Sequence, residues 1–369
     1  MSRATTTDEP ETYDPGYVPQ RFGLNNTGVI CHLNSLLQGL VGCSAVVRAT
    51  LANRDYLAKT ATGRAFHDFI HTAVPAARLP GSAPFEGGAA LENCSAAVLR
   101  ALTTDLRSRR PHFRYGPSQE SASEGLVLLL DMMDDPNPEP LGVEVDEKTG
   151  AEKVIYEENP VARLFYHRYQ AIVYCKNCKV SVSEELDVAV QFNLFHYDGL
   201  RKKPRTPAEF GEMLRSQVSF LEDYRCDKCG EKAGGFRHYL LRMIPEVLVT
   251  VFNLYQDRRG RVTRYAPSRV PFPGIGGSQL IYRQVAQVEQ FGTRAGGHYI
   301  ARGLRADGKV YQLDDASANQ SAFGPTPNVY MVFYHCERIP APAPVVEAAA
   351  AAPAPAPDAS LVADDGGPA

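Results

Sequence analysis

The order of apolar patterns along the chain predicts an α+β protein with an antiparallel sheet. Helix-period segments come first, strand-period segments dominate after about residue 160, and one well-marked helix interrupts them. Cys31 to Val41 (CHLNSLLQGLV) sets Leu33, Leu36, Leu37, Leu40 and Val41 at the i, i+3, i+4, i+7 spacing of an amphipathic helix, with Cys31 at its start. A second apolar helix is expected from about Ser121 to Met133. The stretch from about 134 to 160 opens as DDPNPEPLGVEVDEKTGAEK, polar and rich in turn residues, and reads as a long surface loop. Between 161 and 195 the texture alternates, which predicts two or more strands. A helix follows at 207: Thr206 suits the N-cap, Pro207 the first helical position, and Glu209 completes a T-x-x-E capping box. From Tyr239 to Tyr334 strands dominate, among them EVLVTVFNLY, SQLIYRQVAQVEQF, HYIARGLR, KVYQLD and VYMVFYH.

Composition narrows the function classes. Of 369 residues, 44% are hydrophobic and 22% charged, an ordinary globular balance that excludes a fibrous or disordered chain. The longest apolar runs, Leu126 to Leu130 and Val247 to Phe252, fall far short of the roughly 18 residues of a membrane span. The acidic start MSRATTTDEPETYD does not read as a secretory signal, so the expected location is the cytoplasm or nucleus, with no membrane partner. The net charge of -3 divides unevenly: residues 1 to 20 carry -3, residues 337 to 369 carry -4, and the middle carries +4. That weak excess does not describe a nucleic-acid binder, which needs a strongly basic face. From Pro340 onward, 12 alanines and 7 prolines fill 19 of 30 positions, too little apolar surface to offset ordering entropy. The expected organisation is a disordered tail over 1–21, one folded unit over 22–337, and a second disordered tail over 338–369.

Eight cysteines in a chain of this kind point to metal or catalysis before disulfides. Cys175-x-x-Cys178 and Cys226-x-x-Cys229 form two knuckles with 47 residues between them, the pattern of a tetrahedral, structural zinc site closed to chemistry. Two reduced, unliganded turns are the plainer alternative, and a nucleic-acid-reading zinc ribbon a further one. Of the remaining cysteines, Cys43, Cys94 and Cys336 read as buried small hydrophobes. Cys31 differs, because a thiol at a helix N-terminus feels the positive end of the macrodipole, which favours the thiolate. Gly28, just before it, permits a tight approach turn. Cys31 is therefore a candidate nucleophile, with a packed core cysteine as the alternative. Among nine histidines, His298 stands out in AGGHY, where two glycines let backbone or substrate pass beside the ring. Its strand turns at Ala306-Asp307-Gly308, and the returning strand brings Asp314 and Asp315 towards it, so that a carboxylate can orient the imidazole. The alternative is a satisfied strand-end histidine.

With these residues in view, the sequence resembles the ubiquitin-specific proteases, papain-like cysteine enzymes with thumb, palm and fingers subdomains, over roughly residues 22 to 336. The family's cysteine box is matched by Gly23, Leu24, Asn26, Gly28, Cys31, Asn34, Ser35, Leu37 and Gln38. Its G-H-Y box is matched by Gly297, His298 and Tyr299, and its F-D-D by Leu313, Asp314 and Asp315. Weaker matches follow in order: Gln119 to Leu126 (QESASEGL), Val270 to Pro273 (VPFP) and Tyr282 to Gly292. The four knuckle cysteines fall where the family's fingers, here about 161–250, carry a zinc ion.

The resemblance implies roles. Cys31 would be the nucleophile, His298 the general base, Asp314 the acid that orients it, and Asp315 an assistant. Asn26 and the backbone N–H of Cys31 would stabilise the oxyanion. Glu124, Gly297 and Tyr299 would contact substrate, which is ubiquitin on a conjugate or in a chain, met by a monomeric enzyme. The chain also departs from the pattern. His32 replaces a Tyr, Val29 and Ile30 precede the nucleophile, Gln290 stands at a frequent His, Val310 at a Trp, and Ser121 at an acid that faces arginines of ubiquitin's tail. That last change leaves a ubiquitin-like modifier open as substrate. Two motifs are set aside. His67-Asp68-Phe69-Ile70-His71 imitates a zincin helix with Asp for Glu, and Arg201-Lys202-Lys203-Pro204-Arg205 reads as solvated surface before a nuclear address. The reading is a deubiquitinating thiol hydrolase with a Cys-His-Asp triad; the alternative is a catalytically silent ubiquitin-binding scaffold of the same fold.

Overall fold

The structure, a computed structural model, describes residues 14–74, 91, 93–113, 115, 120–145, 152–194, 203–254, 263–273, 279–293 and 296–338. Most of the two expected tails, Gln119, and Arg201 and Lys202 of the basic run lie outside these residues. Residues 14–21 do not behave as tail. Val18 is fully buried, the Asp14 N–H donates to Ser44 Oγ at 3.1 Å, and the Ala306 N–H donates to the Pro19 carbonyl at 3.1 Å.

Helices come first, as the patterns predict. They are α1 (Cys31–Leu40), α2 (Ser44–Ala52), α3 (Arg54–Leu57), α4 (Ala61–Ala73), α5 (Cys94–Arg109) and α6 (Ala122–Met132). Every residue of α1 is buried, so its apolar stripe packs on one side and its polar residues are enclosed on the other. The start of α6 is fixed by Ser121, whose Oγ accepts the Glu124 N–H at 3.4 Å. No single helix among the described residues is long and apolar enough to cross a membrane.

Strands follow. The hairpin β1 (Pro140–Val145) and β2 (Glu152–Tyr156) stands apart. A four-stranded sheet has the order β4-β3-β7-β6, from β3 (Arg168–Cys175), β4 (Ser181–Glu185), β6 (Ser216–Leu221) and β7 (Gly235–Met243). The large sheet has eight strands and runs β13-β12-β11-β10-β14-β8-β5, with β9 added beside β10. Its members are β5 (Phe192–Leu194), β8 (Val247–Phe252), β9 (Arg269–Pro273), β10 (Gln279–Gly292), β11 (Gly297–Leu304), β12 (Val310–Asp314), β13 (Ser317–Ser321) and β14 (Val329–Arg338). The long β10 pairs with β9 through its first residues and with β11 through its last, while β14 lies along its other side. Helix α7 (Pro207–Arg215) carries the expected cap: Thr206 Oγ1 accepts the Glu209 N–H at 3.2 Å, and the Glu209 carboxylate accepts the Arg205 N–H at 2.8 Å.

Strand β8 is buried at all six positions because the sheet is covered on both faces. Val247, Val249 and Val251 join the core beneath α1, whereas Leu248 and Phe252 join Phe210 and Leu214 of α7 on the other face. Helix α1 sits close over β14 at Gly39, where a Cβ would press on the Phe333 ring at 2.9 Å. This packing brings the N-terminus of α1 to the sheet.

Three expectations need correction. The sheet is not wholly antiparallel, because β5 pairs parallel to β8, and a three-residue strand is too short to announce its direction. The surface loop after Asp134 contains the β1–β2 hairpin. Its six β1 residues are all exposed, so no burial pattern marks it among the turn residues. Cys94 is not a fully buried hydrophobe but opens α5, half-buried.

Candidate active site

The site forms where the N-terminus of α1 meets the β11–β12 hairpin. That hairpin closes as expected: Gly308 adopts φ 75°, its N–H donates to the Arg305 carbonyl at 2.8 Å, and Asp307 Oδ1 accepts the Lys309 N–H at 3.0 Å. The returning strand sets Asp314 beside His298, with Oδ1 2.6 Å from Nε2 and both side chains about two-fifths exposed. Gly297 is required just before the imidazole, because a Cβ there would collide with the Phe291 carbonyl and the Gln290 amide. The neighbouring Tyr299 is buried, and its ring tilts against Tyr330 at 5.9 Å.

Cys31 is 4% exposed at the first turn of α1, and the Tyr299 main chain hydrogen-bonds to its sulfur. Sequence reasoning expects the helix terminus to favour the thiolate. Instead burial pushes the Cys31 thiol above its ordinary value, and the charge of Asp315 adds to that; the backbone N–H bonds, chiefly from Tyr299, only partly offset it. Gly28 does not supply a special backbone angle, since positive φ among the described glycines occurs elsewhere. His32, next to Cys31, is held neutral. Its Nδ1–H meets the Val29 carbonyl at 3.1 Å, its ring packs edge-on to Tyr115, and burial pushes its pKa down to about 4.

Asp315 does not contact His298 by a hydrogen bond here but reaches the other way. Its Oδ2 accepts Asn26 Nδ2 at 3.0 Å and its Oδ1 accepts Asn34 Nδ2 at 2.8 Å. Asn26 Oδ1 in turn accepts the N–H groups of Gly28 and Ile30, each at 3.2 Å. One hydrogen of the Asn26 amide is thus spoken for by Asp315, and the second remains to donate. Asn34, matched in the cysteine box, carried no site role in the sequence reading; only the 281-residue separation from Asp315 hid its contact.

Glu124 lies exposed in the first turn of α6, where burial of its inner side and then Glu120 raise its carboxyl above the usual range. Ser121, at the position where the resemblance places an acid, is occupied in other ways. It caps α6 and shares its hydroxyl with Tyr330 Oη at 2.7 Å, and Tyr330 also bonds Ser123 at 2.9 Å. These bonds tie the start of α6 to β14 beside Tyr299.

The four knuckle cysteines converge at one end of the four-stranded sheet. Cys175 Sγ lies 3.8 Å from Cys229 Sγ, Cys178 Sγ lies 3.7 Å from Cys226 Sγ, and all four sulfurs fall within 4.8 Å of one another. Four sulfurs about 2.3 Å from a tetrahedral ion are about 3.8 Å apart, so the cluster can hold a metal ion without rearrangement. Lys179 (φ 61°) and Gly230 (φ 73°) close the two knuckle turns. His67 and His71 do stack one helical turn apart on α4, with centroids 6.1 Å apart, yet they join no group of three potential ligands among the described residues.

A cysteine at the N-terminus of a helix that packs on the sheet, with an imidazole–carboxylate pair on the adjoining hairpin, fits the papain-like α+β class. The chain belongs to the ubiquitin carboxyl-terminal hydrolase family, whose sequence profile it matches over residues 22–334. It is 23% identical over 332 residues to ubiquitin carboxyl-terminal hydrolase 36 of Drosophila erecta, covering 85% of this chain and 28% of that protein. The Drosophila melanogaster protein of the same name is 22% identical over 331 residues, covering 85% and 30%. The chain therefore spans less than a third of the length of these relatives. In fold it is similar to the SAGA DUB module of Ubp8, Sgf11, Sus1 and Sgf73 bound to monoubiquitin, with a TM-score of 0.62, 16% identity, and coverage of 92% of this chain and 73% of that one. A structure of the yeast SAGA DUBm gives the same four values.

Proposed function

We propose that this chain is a deubiquitinating thiol hydrolase that cleaves isopeptide or peptide bonds after the C-terminal glycine of ubiquitin. The observation that carries the reading is the join between the two halves of the site. The Tyr299 main chain holds the Cys31 sulfur, and the adjacent His298 bonds Asp314 at 2.6 Å. Asp314 fixes the imidazole through Nε2, which leaves Nδ1 to take the Cys31 proton. The thiolate attacks the glycine carbonyl carbon and forms a C–S bond while the carbonyl electrons move to oxygen. The Cys31 N–H and the free hydrogen of the Asn26 amide receive that charge, and Asp315 holds Asn26 in place. Collapse expels the lysine amine, which takes the proton from His298; water then cleaves the thioester with His298 as base. Glu124, Gly297 and Tyr299 serve the substrate's tail.

The catalytic unit is assigned to 22–337, with the four-stranded sheet as its fingers. Cys175, Cys178, Cys226 and Cys229 would hold one zinc ion, which supplies a fixed cross-link and no open position for chemistry. Monoubiquitin bound in the similar SAGA DUB module supports ubiquitin as the partner. Cys31→Ala should abolish both hydrolysis of a ubiquitin C-terminal amide and labelling by an electrophilic ubiquitin probe; a variant that stays active refutes the assignment. The upward push on the Cys31 thiol favours a second reading, a silent scaffold, which ubiquitin binding without turnover by the parent chain would establish.

A further inference from the structure

We infer that Asn34 is a positioning residue: buried beneath the site, it sets the direction of the oxyanion donor Asn26 by pinning Asp315. The inference rests on the hydrolase reading above. Asn34 lies on α1 three residues after Cys31 and is 2% exposed, so it reaches no substrate. Its Nδ2 donates to Asp315 Oδ1 at 2.8 Å and lies 3.3 and 3.4 Å from the carbonyls of Leu24 and Asn25. One amide group thus ties the helix of the nucleophile, the segment that leads into it, and the end of the histidine hairpin.

Asp315 needs such a pin. It adopts φ 48°, in the left-handed region that costs a non-glycine residue free energy and persists only where neighbours over-determine it. Its carbonyl accepts the Leu24 N–H at 2.8 Å, and Gly23 packs against the Ala316 carbonyl so closely that a Cβ could not fit. The backbone is therefore fixed, but the carboxylate still needs its rotation set. Two amides set it from opposite sides, Asn34 on Oδ1 and Asn26 on Oδ2. The far end of Asn26 is held by Gly28 and Ile30, which fixes which way its amide faces. Without the Asn34 donor, Asp315 is free to swing about its side-chain bond, and the Asn26 hydrogen aimed at the developing oxyanion loses its fixed direction. Preorganisation of that donor is what oxyanion stabilisation depends on. Asn34 makes no hydrogen bond to His298 or to the Cys31 sulfur, and the charge of Asp315 acts on the thiol less than burial does, so formation of the thiolate should change little without it.

The experiment uses the full chain and measures two reactions of Cys31. Hydrolysis of a ubiquitin C-terminal amide passes through an oxyanion, whereas alkylation by iodoacetamide does not. Asn34→Ala should lower kcat about 10-fold to 100-fold with KM and the alkylation rate within about twofold. In an Asn26→Ala background, the same change should cost less than about threefold, because its target is already gone. Gln38→Ala is the structural control: Gln38 is equally buried one turn further along α1, donates to the Phe22 carbonyl at 2.9 Å and accepts from the buried Arg305, so its loss costs packing and hydrogen bonds without touching Asp315. It should keep kcat within about threefold at a temperature where all variants remain folded. An unchanged kcat for Asn34→Ala, an equal loss in both backgrounds, a parallel fall in alkylation, or an equal loss in Gln38→Ala each overturns the assignment of Asn34. A parent chain that alkylates but never turns over overturns the hydrolase reading as well, which separates the two failures.

Discussion

The two larger sheets reach stability by different means. In the eight-stranded sheet, β14 sends Met331 and Phe333 into the core under α1, and Val332 and Tyr334 into the core with α7, so its central strands are packed on both faces. In the four-stranded sheet, Ala171 and Val173 are buried on one face, whereas Val218 and Phe220 on the other stand 55% and 58% exposed. One face carries little packing. Its open end is where the four sulfurs converge, so a metal ion held there would add a cross-link to a sheet that burial alone holds weakly. The hairpin that carries His298 and Asp314 is paired into this larger sheet through β10.

The sharpest way to break this contrast is to remove the clamp. Cys226→Ser together with a strong chelator should lower amide hydrogen-exchange protection across Ser216–Leu221 and Gly235–Met243 by about 1,000-fold or more, while β8 and β14 keep theirs. Protection that falls equally in both sheets would mean that they are one cooperative unit, and protection unchanged in both would remove the metal from the account. A smaller effect tests the packing side. Phe333→Ala leaves a cavity against Gly39 and α1 and should cost about 3–5 kcal/mol in denaturant unfolding. Phe220→Ser, which removes an equal ring from the exposed face, should stay within about 0.5 kcal/mol. Comparable losses at the two positions would mean that the four-stranded sheet buries Phe220 against a partner.

The contrast also explains what the sequence discloses. Helix α1 is legible because five apolar residues repeat at helical spacing, and the start of α7 because Thr206 and Glu209 satisfy a local rule. His298, Asp314 and the cysteine knuckles were legible because short motifs within one hairpin or one turn carry them. Whatever depended on long-range contact was not. Asn34 meets Asp315 across 281 residues, β5 pairs parallel to β8 from only three residues, and β1–β2 pairs without burying a face. Thiol electrostatics escaped for the same reason. The helix terminus is visible in the sequence, but the enclosure that outweighs it exists only once the sheet packs on α1.

Acid should separate the sheets more gently than chelation does. His335, on β14, is fully buried; its Nδ1–H meets the Cys336 carbonyl at 2.8 Å, its Nε2 lies 3.4 Å from Ser44 Oγ, and burial pushes its pKa down to about 4. An unfolded histidine titrates near 6.5, so the unfolded chain takes up this proton first as pH falls. The stabilisation is therefore fully present above about pH 6.5 and is lost on the way down to about pH 4, on the order of 2–3 kcal/mol for a group this enclosed. His238, on β7 of the four-stranded sheet, is also shifted down, by burial and then by Arg215, but it is only half-buried and bonds Ser216 Oγ at 2.7 Å. The unfolding free energy of His335→Gln should consequently fall less steeply than that of the parent between pH 6.5 and 4, and His238→Gln should follow the parent curve closely. If the two substitutions flatten the curve equally, water reaches both histidines alike, and the doubly packed sheet is no drier than the clamped one.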